Sequence, residues 1–169
     1  PHGVREKLVL AAEAATLCPS NYSQLTVSEY LATQPWREQI KSFREVYRER
    51  RDALLDSLQA MMPEGTRWTI PAGGFYSWVT LPDGLDATAM LPRAVAELVA
   101  YVPGTGFYVD GQGVSNMRLS YCYPEPDRIR EGVRRLSLVV ESEVEIARTF
   151  GTASAASPGS PTTPGESST

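Results

Sequence analysis

The fold is decided in the stretch Pro71-Ala72-Gly73-Gly74-Phe75-Tyr76-Ser77-Trp78-Val79-Thr80-Leu81, where the chain changes from helical periodicity to short β-rich runs. Aromatic and β-branched residues in Phe75–Leu81 predict a strand, and Trp68–Ile70 predicts another before it. The Gly73-Gly74 pair between them predicts a turn or bulge. We therefore expect a boundary between two structural roles here.

Upstream of this stretch the pattern predicts helices. Strong helix formers in Val4–Leu17 predict the first, and Ser20-Asn21 can cap a second, shorter one. A long amphipathic helix is predicted from Trp36 to Met62 and should be stopped by Pro63-Glu64-Gly65. Its apolar positions recur at steps of three, four or seven: Ile40, Phe43, Tyr47, Leu54, Leu58 and Met61.

Downstream, strands alternate with helices. A helix should occupy part of Asp86–Ala100, and Pro92 suits its first turn better than its interior, which favours a helix that begins there. Two strands, Tyr101-Val102 and Phe107-Tyr108-Val109, should flank Pro103-Gly104-Thr105-Gly106. Those glycines could cradle a phosphate, but phosphate loops open a helix and a strand-like run follows here, so we interpret the loop as a structural turn.

Arg118 is the candidate binding residue that the pattern itself offers. Alternation in the predicted strand Met117–Tyr121 puts Arg118 and Ser120 on one face and the apolar residues on the other. A guanidinium held on a strand can clamp a carboxylate with two parallel hydrogen bonds. The alternative is a solvated arginine on a half-exposed sheet, and spacing alone leaves both open.

Other residue clusters favour structural roles. The run Arg48–Arg51 is interspersed with acidic residues, which predicts a solvated, salt-bridged helix face. Cys122 is expected to be a small buried residue. The strand aromatics are expected to lie in the core rather than against a cofactor: Trp68, Phe75, Tyr76 and Trp78.

The end of the chain is predicted to form one more helix and a tail. Pro124, Glu125 and Asp127 should open the last helix. Beyond Arg148 the composition turns to Gly, Ser, Thr, Ala and Pro, which predicts a disordered tail over residues 149–169.

Composition excludes several classes of function. The 169 residues carry 16 basic and 20 acidic side chains, a net charge of −4, which disfavours nucleic acid as a partner. No apolar run is long enough for a membrane helix. The single histidine, His2, cannot anchor a metal site, and two cysteines are too few for a disulfide framework. A cytoplasmic setting is the expectation.

Four blocks, in order and at compatible separations, resemble class I/II aminotransferases of the 2-aminoadipate or kynurenine type. The likeness covers Val4 to about Ser142, and the blocks are Ala15-Thr16-Leu17-Cys18-Pro19-Ser20-Asn21-Tyr22-Ser23-Gln24-Leu25, Pro71–Trp78, Val102–Asp110 and Met117–Tyr121. The resemblance implies the carboxy-terminal part of an α/β, fold type I transferase that depends on pyridoxal 5'-phosphate. The parts would be the end of the large cofactor domain (1–35), a connecting helix (36–62) and a small domain (63–148).

The resemblance also implies roles for particular residues. Arg118 matches the arginine that binds the substrate α-carboxylate, and Tyr76 matches an aromatic residue near the substrate. Leu17 falls in a segment that borders the partner subunit's active site in the family's homodimer. The amino acid and the 2-oxo acid would be the substrates, and the amino group would pass between them.

The lysine that forms the Schiff base with pyridoxal phosphate in this family has no match. The sequence contains only Lys7 and Lys41, and neither lies in the family's Ser-x-Ser-Lys setting. We therefore expect no catalytic lysine in this chain and no transaminase activity from the chain alone. Two alternatives to an enzyme fragment remain: the ligand-sensing domain of a winged-helix transcription regulator, and an inactive truncated product.

Overall fold

A computed structural model describes residues 2–150, and the chain divides into two compact units, Pro1–Glu45 and Val46–Thr169. The disorder predicted for 151–169 lies outside the described residues. The predicted domain boundaries at 35/36 and 62/63 stay predictions.

The first unit is helical, as predicted. It contains α1 (His2–Thr16), α2 (Asn21–Thr33) and the start of α3 (Trp36–Met61). Ser20 caps α2 by accepting a hydrogen bond from the Ser23 amide at 3.4 Å, which confirms the predicted cap. No residue of α1 or α2 is buried.

The second unit is built on a four-stranded antiparallel sheet of order β1-β2-β4-β3. The strands are β1 (Arg67–Trp68), β2 (Tyr76–Thr80), β3 (Val102–Pro103) and β4 (Asn116–Ser120). The two central strands pair over five residues, with Trp78 opposite Arg118. β3 pairs with the other side of β4, with Val102 opposite Arg118. Arg118 therefore lies on an inner strand of the sheet, between Trp78 of β2 and Val102 of β3.

One hydrophobic core serves the second unit. It joins the buried face of the sheet to α4 (Ala87–Ala96), α5 (Pro126–Phe150) and the later part of α3. The largest fully buried side chains are Leu58, Val79, Leu81, Met90, Met117, Tyr121, Leu136 and Val140. Burial of each such aliphatic side chain contributes about 1.5–3 kcal/mol relative to exposure.

The prediction that α4 starts near Pro92 is wrong. The helix begins at Ala87 because Asp86 caps it: its Oδ1 accepts the amides of Thr88 at 2.7 Å and Ala89 at 3.1 Å. Pro92 consequently lies inside the helix, where its ring nitrogen has no hydrogen to donate. The Asp86 cap, and not Pro92, therefore determines where α4 begins.

The predicted strand Phe107–Val109 is also absent. Gly104–Phe107 instead forms a 3₁₀ turn that packs directly on the start of β4. A Cβ on Gly104 would come within 2.5 Å of the Asn116 Cβ and of the Gly113 carbonyl oxygen. The loop is a structural turn, but the strand used to argue for that interpretation does not exist.

Several element ends differ by one or two residues from prediction. β1 covers Arg67–Trp68 instead of Trp68–Ile70, because the Thr69 hydroxyl takes over the Trp78 amide at 2.9 Å. α5 continues through Phe150, two residues beyond the predicted start of the tail.

Candidate functional site

The open face of the sheet carries the site. Tyr76 and Trp78 on β2 and Arg118 and Ser120 on β4 point away from the core, whereas the residues between them are buried. Period-two alternation produces this arrangement, and it confirms the predicted placement of Arg118 and Ser120 on one face. The sheet thus separates a hydrophobic core from a polar and aromatic surface.

Arg118 and Tyr76, both predicted site residues, lie in contact. The Arg118 Cζ is 4.1 Å from the centroid of the Tyr76 ring and 4.9 Å from that of Phe107. Tyr76 comes from β2 on one side of β4, and Phe107 comes from the segment after β3 on the other side. Cation–π contacts of this kind hold a guanidinium in place without using its hydrogen-bond donors.

The donors of Arg118 remain unused among residues 2–150. Its Nε is buried without a hydrogen-bond partner, and no described carboxylate forms an ion pair with it. Most arginines of this unit differ, for example Arg134, whose Nε donates to Glu131 Oε2 at 2.7 Å. Buried polar groups are nearly always hydrogen-bonded, so the unpaired Nε of Arg118 is unusual, and the Nε of Arg50 shares this property. The planar fork of a guanidinium matches the geometry of a carboxylate or a phosphate.

Neighbouring aromatic residues support this arrangement. Trp78 meets the Phe107 ring edge-to-face at 5.2 Å, and the Tyr108 ring lies 6.3 Å from Trp78. Phe75 and Tyr76 are 42% and 44% exposed, so their predicted core location is wrong. Trp68 does pack against the core, and Trp78 is only partly buried, on the opposite face of the sheet.

Arg50 was missed by sequence reasoning. Its side chain is only 14% exposed, and it donates to the Cys122 carbonyl at 2.6 Å and to Glu125 Oε1 at 2.9 Å. The prediction of a solvated face is therefore wrong for this arginine, which connects α3 to the segment after β4. Its partners are 72 and 75 residues away, and no local pattern reveals such a contact.

Cys122 lies beside the site rather than in the core. It is partly exposed, and its Sγ is 3.1 Å from the Ser120 hydroxyl, so the expectation of a buried residue is wrong. The Ser120 hydroxyl also accepts from the Cys122 amide at 3.5 Å. These contacts fix the end of β4, two residues after Arg118.

Two hydrogen bonds hold the bend before β2. The Tyr121 hydroxyl donates to the Gly74 carbonyl at 3.0 Å, and Arg51 reaches the Pro71 carbonyl at 3.4 Å. Burial raises the pKa of Tyr121, while nearby Arg51 lowers it, and the rise prevails. Arg51 also pairs with Asp52, so it too is only partly solvated.

Leu17, the third predicted site residue, belongs to the first unit. It follows α1 with a left-handed backbone (φ 57°) and is 81% exposed. A leucine in this conformation is uncommon, because its Cβ crowds the following carbonyl. The structure brings Arg118 and Tyr76 together, and the role of Leu17 stays a prediction.

Comparison with known proteins places these residues in a family context. No family model matches the sequence. The aromatic-amino-acid aminotransferase 1 of Thermococcus litoralis is 39% identical over 145 residues, which are 86% of this chain and 34% of that protein.

Solved structures agree with this relationship. The multiple substrate aminotransferase of Thermococcus profundus superposes with a TM-score of 0.78 at 41% identity, over 86% of this chain and 36% of that one. The α-aminoadipate aminotransferase of Thermus thermophilus, solved with N-(5'-phosphopyridoxyl)-L-leucine, gives 0.74 at 37% identity, over 85% and 37%.

The described fold is thus the carboxy-terminal part of a fold type I transferase, homologous to class I/II aminotransferases. The chain spans about a third of the length of the relatives it matches. Both parts of the resemblance found in the sequence, the fold and the family, are confirmed.

The residues around Arg118 fit a substrate carboxylate but do not fit the pyridoxal group itself. Lys7 and Lys41 are the only lysines of the sequence, and neither lies in the unit that contains Arg118. The described residues contain no group of three or more His, Cys, Asp or Glu side chains that could hold a metal ion. Within residues 2–150, no helix has the length and apolar character needed to cross a membrane.

Proposed function

We propose that this chain supplies the carboxylate-binding wall of an aminotransferase that depends on pyridoxal phosphate. The whole protein would be a cytoplasmic homodimer that passes an amino group between an amino acid and a 2-oxo acid. The lysine that holds the cofactor would lie outside this sequence, and the chain alone would be inactive. Arg118 with its unused donors is the observation that carries the proposal.

Arg118 would bind and orient the substrate. A carboxylate placed against the guanidinium fork accepts two parallel hydrogen bonds, which fix the direction of the substrate as well as its charge. Arginine presents a planar set of donors that matches a carboxylate better than a lysine ammonium does. Tyr76 and Phe107 lie against the guanidinium and remove part of its contact with water, which strengthens the attraction for the carboxylate.

Leu17 would contribute from the first unit. In the proposed homodimer its exposed side chain borders the partner subunit's active site. The left-handed backbone at Leu17 supports this role, because strained residues concentrate at functional positions.

The two alternatives receive less support. The relatives described above, which share 37–41% identity, are aminotransferases by name. A regulator that senses a ligand would share Arg118 but should bind without turnover. An inactive truncated product would show neither binding nor turnover. Measuring both ligand binding and turnover in the whole protein therefore separates the three.

The test is Arg118→Ala in the whole protein. Hydrogen bonds to a charged group contribute about 1.5–3 kcal/mol each, so loss of both should lower kcat/KM a hundredfold or more. Cofactor absorbance should remain, and Arg118→Lys should recover only part of the activity, because an ammonium cannot make the planar two-point contact. A near-normal kcat/KM for Arg118→Ala would make Arg118 an ordinary sheet arginine.

A further inference from the structure

Phe107 is an aromatic residue of the site for which sequence patterns predicted a strand that the structure does not contain. Its ring lies 4.9 Å from the Arg118 Cζ, yet it reaches Arg118 from a 3₁₀ turn and not from a neighbouring strand. A ring on a loose loop could not hold a guanidinium in one orientation. The rigidity of this turn therefore decides what Phe107 can do.

The turn is fixed by backbone packing at two glycines. A Cβ on Gly104 would meet the Asn116 Cβ and the Gly113 oxygen at 2.5 Å, so the turn lies directly on the start of β4. At Gly113, which has a φ of +80°, an added Cβ would meet the Tyr108 ring at 2.5 Å. Gly104 and Gly113 lie at the two ends of the segment that carries Phe107, and neither position has room for a Cβ.

A second element also holds the turn. The Thr105 and Thr88 hydroxyls are 3.2 Å apart, and the Ala87 amide donates to the Val114 carbonyl at 2.8 Å. Both partners belong to the first turn of α4, which Asp86 caps. Trp78 then packs its ring edge-to-face on Phe107 at 5.2 Å, so the ring is restrained from the sheet as well.

The state of the guanidinium follows from these restraints. Arg118 Nε is buried and has no partner, and no described side chain accepts a hydrogen bond from the terminal nitrogens. Side-chain hydrogen bonds within residues 2–150 therefore do not orient the guanidinium. The contacts that orient it are the cation–π contacts with Tyr76 and Phe107. Because Nε is covered, the edge formed by Nη1 and Nη2 is the part that a ligand can reach.

We infer that Phe107 is a positioning residue, which presents the terminal-nitrogen edge of Arg118 to an incoming carboxylate. The inference rests on the proposed function, because it concerns how the same site selects its ligand. Ligands with a planar carboxylate benefit from the preset orientation, and amines without a carboxylate do not. Phe107 thus contributes to selectivity for amino and 2-oxo acids through Arg118.

A double-mutant cycle in the whole protein tests this. Phe107→Leu removes the ring, and it should raise the dissociation constant for 2-oxoglutarate and lower kcat/KM about fivefold to tenfold, the range of a partly buried cation–π contact. In an Arg118→Ala background the same substitution should change kcat/KM less than about twofold. Turnover of an amine that lacks a carboxylate should not respond to Phe107→Leu.

Phe75→Leu is the matched control. Phe75 is exposed to a similar extent, 42% against 46% for Phe107, and packs on Tyr47 and Tyr76 without a contact to the Arg118 guanidinium. It should leave the dissociation constant nearly unchanged. Phe107→Tyr retains a ring and should restore binding to within about twofold of the original. Phe107→Met takes the place of Phe107→Leu if the leucine variant does not fold.

Three results would overturn the inference. These are an unchanged dissociation constant in Phe107→Leu, an equal loss with and without Arg118, and an equal loss for the amine. If instead Arg118→Ala itself binds 2-oxoglutarate normally, the proposed function fails first and the inference falls with it.

Discussion

The two faces of the central sheet differ in burial, although the same strands form both. On one face Ser77, Val79 and Met117 are 0% exposed and form the core, and on the other Tyr76 is 44% exposed against a half-buried Arg118. Met117 and Arg118 are adjacent in sequence, but one is satisfied by packing and the other is left with unused donors. Adjacent residues of β4 therefore differ in role: Met117 stabilises the core, and Arg118 is the residue proposed to bind a ligand.

Met117→Ala should show the largest effect on stability. It empties a fully buried position, which typically costs about 2–5 kcal/mol. Arg118→Ala, one residue later, should cost about 1 kcal/mol or less, because it removes only cation–π contacts. Denaturant unfolding of the two variants of the whole protein measures the difference. Equal losses would remove the distinction between the faces.

Arg50→Ala should follow, with a loss of about 2–3 kcal/mol in unfolding free energy. The substitution leaves the Cys122 carbonyl without its donor and Glu125 without its ion pair. Arg48→Ala on the same helix is the control, because Arg48 is exposed and should change stability by less than about 0.5 kcal/mol. Similar melting curves for both variants would mean that Arg50 is an ordinary surface residue.

Tyr101→Phe tests the core side under alkaline conditions. The Tyr101 hydroxyl donates to the Ala87 carbonyl at 2.6 Å, and burial, followed by Asp86 and Glu143, raises its pKa above the usual 10.0. The folded state therefore opposes ionisation, so this tyrosine's contribution is complete below pH 10 and is lost as the pH rises further. Tyr101→Phe should cost about 1 kcal/mol at pH 7. Its melting temperature should fall less between pH 10 and pH 12 than that of the original, and parallel curves would contradict the assignment.

Glu131→Gln should have the smallest effect, on the outer surface of α5. Hydrogen bonds from Arg134 and then Arg135 lower the pKa of Glu131 to about 2. This contribution is present above the ordinary pKa of 4.5 and is lost as the pH falls through about 2. The melting temperature of Glu131→Gln should therefore vary less over that pH window, and added salt should reduce the difference. An identical acid profile would show that the exposed pairs do not contribute.

Local patterns predicted what depends on neighbours in sequence. The alternation around Arg118 placed it correctly, because period two in a strand leaves no choice of face once Met117 and Leu119 are buried. The long helix was predicted within one residue, since its apolar stripe and the stop at Pro63 both act locally. The resemblance added the carboxylate role that alternation alone had left open.

Long-range contacts explain what the sequence did not reveal. Phe107 was assigned to a strand because the run Phe107-Tyr108-Val109 has strand composition, whereas close packing of Gly104 on Asn116 sets its backbone. Arg50 depends on a carbonyl 72 residues away. Asp86 did have a local signal, since a capping aspartate can set a helix start five residues before a proline.

The central claim is that the open face of the sheet binds a carboxylate through Arg118. A crystal structure of the whole protein soaked with a 2-oxo acid tests it most directly. The account predicts the carboxylate about 2.7–2.9 Å from the terminal nitrogens of Arg118, with Tyr76 and Phe107 still on the guanidinium. A carboxylate bound elsewhere, with the fork of Arg118 empty, would contradict it.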